Sequence, residues 1–166
     1  MQRLLRLLSR GRTGEPAARA ATREDLDACV SLALDFCRER GRRVAPGARA
    51  RVARFAAAFL AAEKARILVT EEAGRIAGMI WCRLGPADLW DEEPVFVVDW
   101  WYVAPERRLN GRTARALLRG AVAFGLAMGA RKARICADCD SPLVARYQRT
   151  FGFRPETVNL VLTVEE

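Results

Sequence analysis

Along the chain, apolar positions fall into alternating and helical periods that predict the element order β-α-α-β-β-β-α-β-α-β. Arg19 to Thr22 reads as a short first strand, and Thr22 with Asp25 as a helix cap. Leu26, Cys29, Val30, Ala33 and Cys37 then hold helical spacing as far as Gly41. A second helix opens near Pro46, with Val52, Phe55, Ala56, Phe59 and Leu60 on its apolar face. Arg66–Glu71 and Arg75–Leu84 form a predicted hairpin across Ala73-Gly74, and Gly78 marks a bulge or a close backbone approach. An acidic loop from Gly85 to Pro94 precedes the most apolar strand of the chain, Val95 to Val103.

The rest of the pattern is a Gly111–Gly129 helix, a Lys132–Ala137 strand, a helix from Ser141-Pro142 to about Phe151, and a last strand, Val158–Val164. These elements predict one α/β (α+β) domain over residues 19–166, a mixed sheet of six to seven strands flanked by about four helices. Residues 1–18 stand apart as a basic arm and linker, with Leu4, Leu5 and Leu8 facing away from Arg3, Arg6 and Arg10. That arm is suited to docking a protein partner or an acidic surface.

Composition narrows the chemistry. The net charge of +8 is almost wholly arginine, since Lys64 and Lys132 are the only lysines. Such a balance suits an anionic ligand, nucleic acid or an acidic partner, or else a merely solvated surface. With no histidine in 166 residues, Ser-His-Asp and Cys-His catalysis and histidine-ligated metals are excluded. Five cysteines form no even framework and fit free thiols in a reducing, cytoplasmic setting. Cys136 and Cys139 have C-x-x-C spacing, but no second pair completes a zinc site, so no metal is expected. No apolar run approaches the ~20 residues that cross a membrane.

The stretch from Val95 to Thr113 carries the candidate chemistry. Its strand runs into the turn Val103-Ala104-Pro105-Glu106 and then an arginine-rich loop before a helix. Unpaired N–H groups and the positive end of the helix dipole make such a helix start a phosphate site. Asp99 is the only acid inside the apolar strand, and plain alternation places it on one face with Trp101 and Val103. An acid there is costly unless partnered or used, so it is either a general base or a structural partner of an arginine.

Val103 to Thr113, VAPERRLNGRT, resembles the V-x-P-E-x-R-G-x-G-x-G segment of the GNAT superfamily, the acetyl-CoA-dependent N-acetyltransferases. Arg108 and Gly111 match its [Q/R]-x-x-G-x-[G/A] core, whereas Leu109 and Thr113 replace small residues. A second segment, Asp140 to Phe153, resembles the family's stretch from an asparagine to a Gly-Phe pair, with Tyr147, Gly152 and Phe153 read as its tyrosine, glycine and phenylalanine.

The resemblance implies direct acetyl transfer from acetyl-CoA to a primary amine. It implies that Trp101, Tyr102 and Val103 offer a splayed strand edge to the pantetheine amides. Arg107, Arg108, Leu109, Asn110, Gly111, Arg112 and Thr113 would wrap the pyrophosphate. Tyr147 would be the acid that returns a proton to the thiolate, and Asp99 the leading base. Trp90, Asp91 and Glu92, in a loop with Asp88 and Glu93, would face the acceptor and suit a cationic amine. Two further readings stay open. One is a catalytically weak GNAT-fold binding or structural protein, as a homo-oligomer or in a larger, phage virion-like assembly. The other is a tRNA-directed acetyltransferase, favoured by the basic charge and the arginine-rich arm.

Overall fold

The computed structural model describes residues 16–88, 91–108, 111–136, 148–149 and 153–154, with the side chains of 86–88 and 91–93 left aside. The chain divides into two units, Met1–Cys136 and Ala137–Glu166, and every element below belongs to the first. Of the second, Gln148 and Arg149 are helical. Residues 1–15 of the predicted arm, most of the last helix and the last strand lie outside the described residues, and Ala18, counted with the arm, begins the first strand.

Five strands form one sheet in the order β1 (Ala18–Ala20), β2 (Ala65–Glu72), β3 (Arg75–Asp88), β4 (Asp91–Val103) and β5 (Lys132–Ile135). Neighbours are antiparallel except β4 and β5, which run parallel. Parallel neighbours need a crossover, and here it is helix α3 (Arg112–Ala127). The element order through β5 is the one that the sequence periods predict.

Two corrections concern ends. The strand pair does not stop at Leu84. Register continues through Gly85↔Val95, Pro86↔Pro94 and Asp88↔Asp91, so the expected acidic loop is mostly hairpin. Antiparallel pairing, once in register, carries forward regardless of side-chain polarity. The expected cap forms only in half, because Asp25 Oδ2 accepts the Thr22 N–H at 2.8 Å but the N-cap of α1 (Leu26–Glu39) has no side-chain cap bond. Asp25 is turned to Arg19, whose guanidinium donates to both its oxygens at 2.6 and 2.9 Å. That pairing holds the Asp25 carboxyl down at about 2.

Helices α1 and α2 (Ala48–Ala61) cover one face of the sheet, where Val30, Ala33 and Phe59 meet Ile67, Met79, Trp81 and Tyr102. Helix α3 covers the other, where Leu117 and Ala121 meet Ile80, Phe96, Val98 and Val103. The residues of the helical stripes are buried or partly buried as predicted, except one. Phe55 is half exposed and lies against Trp81, rings 5.9 Å apart and only 11° from parallel.

Close approach fixes α3 and β4. A Cβ on Gly125 would stand 2.7 Å from the Phe96 ring, so only glycine lets the helix settle there. A Cβ on Gly78 would stand 3.0 Å from the Tyr102 carbonyl and 3.1 Å from Leu117. The glycine inside β3 is thus a close approach, next to a register shift at Thr70/Glu71.

Candidate active site

The site is built on the second half of β4 and the turn that follows it. In the first half, Val95–Val98 pair with β3 on one side and with Lys132–Ile135 of β5 on the other. The last bond of that parallel seam is Cys136 N–H to Val98 O, 3.2 Å. From Asp99 onward β3 is the only strand that pairs with β4 among the described residues, so the edge Trp100–Val103 has no strand on its β5 side; the Val103 carbonyl there accepts from Arg108.

The break coincides with a β-bulge. Trp81 pairs with Trp100 and Cys82 with Val98, leaving Asp99 as the extra residue. The bulge resets alternation. Phe96 and Val98 before it, and Trp101 and Val103 after it, all join the α3-side cluster. Plain alternation from Asp99 to Trp101 and Val103 therefore does not hold, because one inserted residue shifts the phase of everything beyond it. Asp99 is a quarter exposed, and Arg83 Nε donates to its Oδ2 at 2.9 Å. The arginine partner weighed from the sequence is present.

Beyond Val103, Pro105–Arg107 form a 3₁₀ turn, and Gly111 precedes α3 in a left-handed conformation (φ +63°). The first helical bond is Arg115 N–H to Gly111 O, 3.0 Å. The N–H groups of Arg112, Thr113 and Ala114 thus lie ahead of the helix ladder, with no side-chain cap on Gly111 and no acid in the first turn. An anion fits there by chemistry as well as by dipole.

Three of the side chains assigned to phosphate from the sequence, Arg107, Arg108 and Thr113, are engaged within the protein. Arg108 donates through both terminal nitrogens to Glu39, at 2.5 and 2.6 Å, and through Nε to Val103 O, at 2.8 Å. Its guanidinium lies 5.1 Å from the Tyr102 ring centroid. Arg107 pairs with Glu72 at 3.2 Å, and the buried Thr113 donates its hydroxyl to the same carboxylate at 2.8 Å. Arg108 beside it holds the Glu39 carboxyl below its ordinary range, while burial and then the bond to Glu39 push the Tyr102 phenol up to about 12.

Glu39 and Glu72 were not legible as site residues. Each ends a periodic element, and nothing in spacing distinguishes them from solvated acids. Tyr147, Leu109, Asn110 and Trp90 lie outside the described residues, and Asp91 and Glu92 are placed only as backbone at the start of β4. Trp101, Tyr102, Val103, Arg107, Arg108, Gly111, Arg112 and Thr113 are brought to one end of the sheet. Asp99 stands at the bulge that opens the same edge. Among the described residues no three His, Cys, Asp or Glu side chains form a metal cluster, and no helix is long and apolar enough to cross a membrane.

A family model for the acetyltransferase (GNAT) family matches residues 28–153. The chain belongs to that family, and is an acetyltransferase of the GNAT type. Its fold is shared by solved structures. A transcriptional regulator from Bacillus halodurans C-125 aligns with a TM-score of 0.73 at 18% identity, over 90% of this chain and 99% of that one. A predicted acetyltransferase with acetyl-CoA from Clostridium acetobutylicum gives 0.72 at 19%, over 88% and 94%. The apo aminoglycoside 6'-N-acetyltransferase AAC(6')-IG from Acinetobacter haemolyticus gives 0.68 at 18%, over 90% and 97%. No curated protein matches the chain.

Proposed function

We propose that this protein transfers acetyl directly from acetyl-CoA to a primary amine, bound side by side with it. The observation that carries the reading is the parting of β4 from β5 at Asp99, which leads straight to the uncapped start of α3. The Trp101–Val103 edge would hold the pantetheine amides, and the N–H groups of Arg112, Thr113 and Ala114 the pyrophosphate. Acetyl-CoA brings the activated acyl group; the protein's part is to orient it and to manage two protons.

Asp99, ion-paired to Arg83 at the bulge, would take the proton from the amine, directly or through water. Tyr147 would return a proton to the departing thiolate. Four residues separate Tyr147 from Gly152, where the family segment Y-x-x-x-G-F has three, and Gln148 stands where that spacing puts the tyrosine. Exchange of Tyr147 for Phe is therefore decisive, since a thiolate acid lost lowers turnover but spares acetyl-CoA binding. The acids Asp88, Asp91, Glu92 and Glu93 at the β3–β4 hairpin favour a cationic acceptor, and one structural relative is an aminoglycoside acetyltransferase.

The test is twofold. Acetyl-CoA is titrated calorimetrically, and free thiol is followed with panels of aminoglycosides, polyamines and basic peptides. Binding plus acceptor-dependent thiol release is expected; failure of acetyl-CoA to bind at millimolar concentration overturns the reading. A second reading, a GNAT-fold binding or structural component, draws on the internal engagement of Arg107, Arg108 and Thr113. It predicts binding without thiol release for any amine.

A further inference from the structure

The loop arginines present a puzzle. A basic loop beside an anion site should spend its charge on the anion, yet Arg107 and Arg108 are each paired to a carboxylate of another element. Arg108 is also bonded to the last carbonyl of β4, at Val103. The departure at position 113 fits the same scheme. Where the family pattern has glycine or alanine, the Thr113 side chain is buried and its hydroxyl serves Glu72.

Glu39 ends α1, on one face of the sheet, and Glu72 ends β2. Together they grip both ends of one turn. Glu39 holds Arg108 at the exit of β4, and Glu72 holds Arg107 and the first turn of α3. With Arg107, Arg108 and Thr113 so engaged, the N–H groups of the first turn of α3 lie ahead of the helix ladder, where an anion is received.

We infer that Glu39 and Glu72 are positioning residues for the pyrophosphate turn: they clasp Arg107, Arg108 and Thr113 so that backbone N–H groups, rather than arginine side chains, receive the anion. The inference rests on the reading of this turn as the acetyl-CoA pyrophosphate site. It makes a prediction of sign. By charge alone, removing a carboxylate beside a polyanion site tightens binding. By the clasp, removing it weakens binding, because an N–H cradle works only when held in place. The side chains of both acids and both arginines are 27–43% exposed, so their pairs contribute little to overall stability. The loss should appear in affinity instead.

The experiment is calorimetric titration of acetyl-CoA into the wild type, Glu39→Gln, Glu72→Gln and Arg108→Lys. The last keeps the charge and loses the two-pronged fork. Each variant should bind about tenfold more weakly, with a melting temperature lowered by no more than about 3 °C. A general structural role would lower the melting temperature and leave the affinity of the folded protein unchanged. Equal or tighter binding by Glu39→Gln and Glu72→Gln, with the wild type binding, overturns the clasp and leaves the proposed function standing.

If the wild type binds no acetyl-CoA, the proposed function falls and the clasp is read separately. Amide hydrogen exchange without cofactor then decides it. Faster exchange at Arg112–Ala114 in the two glutamine variants upholds the clasp, and unchanged exchange overturns it.

Discussion

The two halves of β4 are written in nearly the same alphabet and do opposite work. Val95–Val98 are buried, 0–5% exposed, and hydrogen-bonded on both sides. Trp100–Val103 are apolar too, but have a neighbouring strand on one side only among the described residues, with Trp100 and Trp101 partly exposed. One residue, Asp99, marks the border. The difference teaches that a strand's edge is set by which neighbour leaves it. Apolar content alone does not distinguish the two.

The largest expected effect lies in the doubly paired half. Phe96→Ala removes a fully buried ring beneath Gly125 and should cost about 3–5 kcal/mol in chemical denaturation. Acetyl-CoA affinity of the folded fraction should be unchanged. Altered affinity would break the division between a structural half and a binding half.

Gly78→Ala tests the other half. Its Cβ would stand 3.0 Å from the Tyr102 carbonyl, against backbone that cannot swing aside. A loss of about 1–3 kcal/mol is expected, together with weaker acetyl-CoA binding, because the displaced segment is the proposed edge itself. A stability loss with full affinity would move the cofactor elsewhere.

A pH experiment sharpens the same contrast, since Val95–Val98 carry no titratable side chain while the second half carries Tyr102. Its phenol is raised from 10 to about 12, chiefly by burial. The native state therefore stays protonated while the unfolded chain ionises from about pH 10. Stability from this group is complete below pH 10 and declines as pH rises toward 12, by about 2–3 kcal/mol. Tyr102→Phe should remove that slope from denaturation midpoints measured across pH 9–12.

Smallest in stability is Asp99→Asn. Its pair with Arg83 is partly exposed and worth less than about 1 kcal/mol. Turnover should nevertheless fall by roughly 100-fold if Asp99 is the base. Unchanged turnover leaves it as a bulge-holding partner of Arg83. Thiol labelling marks the border as well. Cys136, exposed beside the end of the seam, should react in the native state, whereas Cys82 opposite Val98, its thiol pushed by burial to about 12, should wait for unfolding.

Much of this was legible in the chain. Periods of 3.6 and 2 placed α1, α2, α3 and five strands within a few residues, because each element buries one face and its sequence must show which. The Arg108–Gly111 segment marked the turn before α3, since a left-handed residue ahead of a helix favours glycine. The hairpin was underestimated because charged residues disguised a ladder held by backbone bonds. The bulge was missed because it breaks the very alternation used to assign faces. Its sign in the sequence is a lone acid between two apolar runs of opposite phase.

By itself, then, the sequence determined the order of elements through β5, the buried faces of the three helices, the glycine before α3 and the membership of a family. All of these are local or periodic properties. Tertiary structure alone decided where β4 leaves β5, that Asp99 is the inserted residue, and that Arg107, Arg108 and Thr113 answer to Glu72 and Glu39. Those pairings join residues 35 to 69 positions apart, and Coulomb attraction and hydrogen bonding depend on distance in space, to which spacing along the chain is no guide.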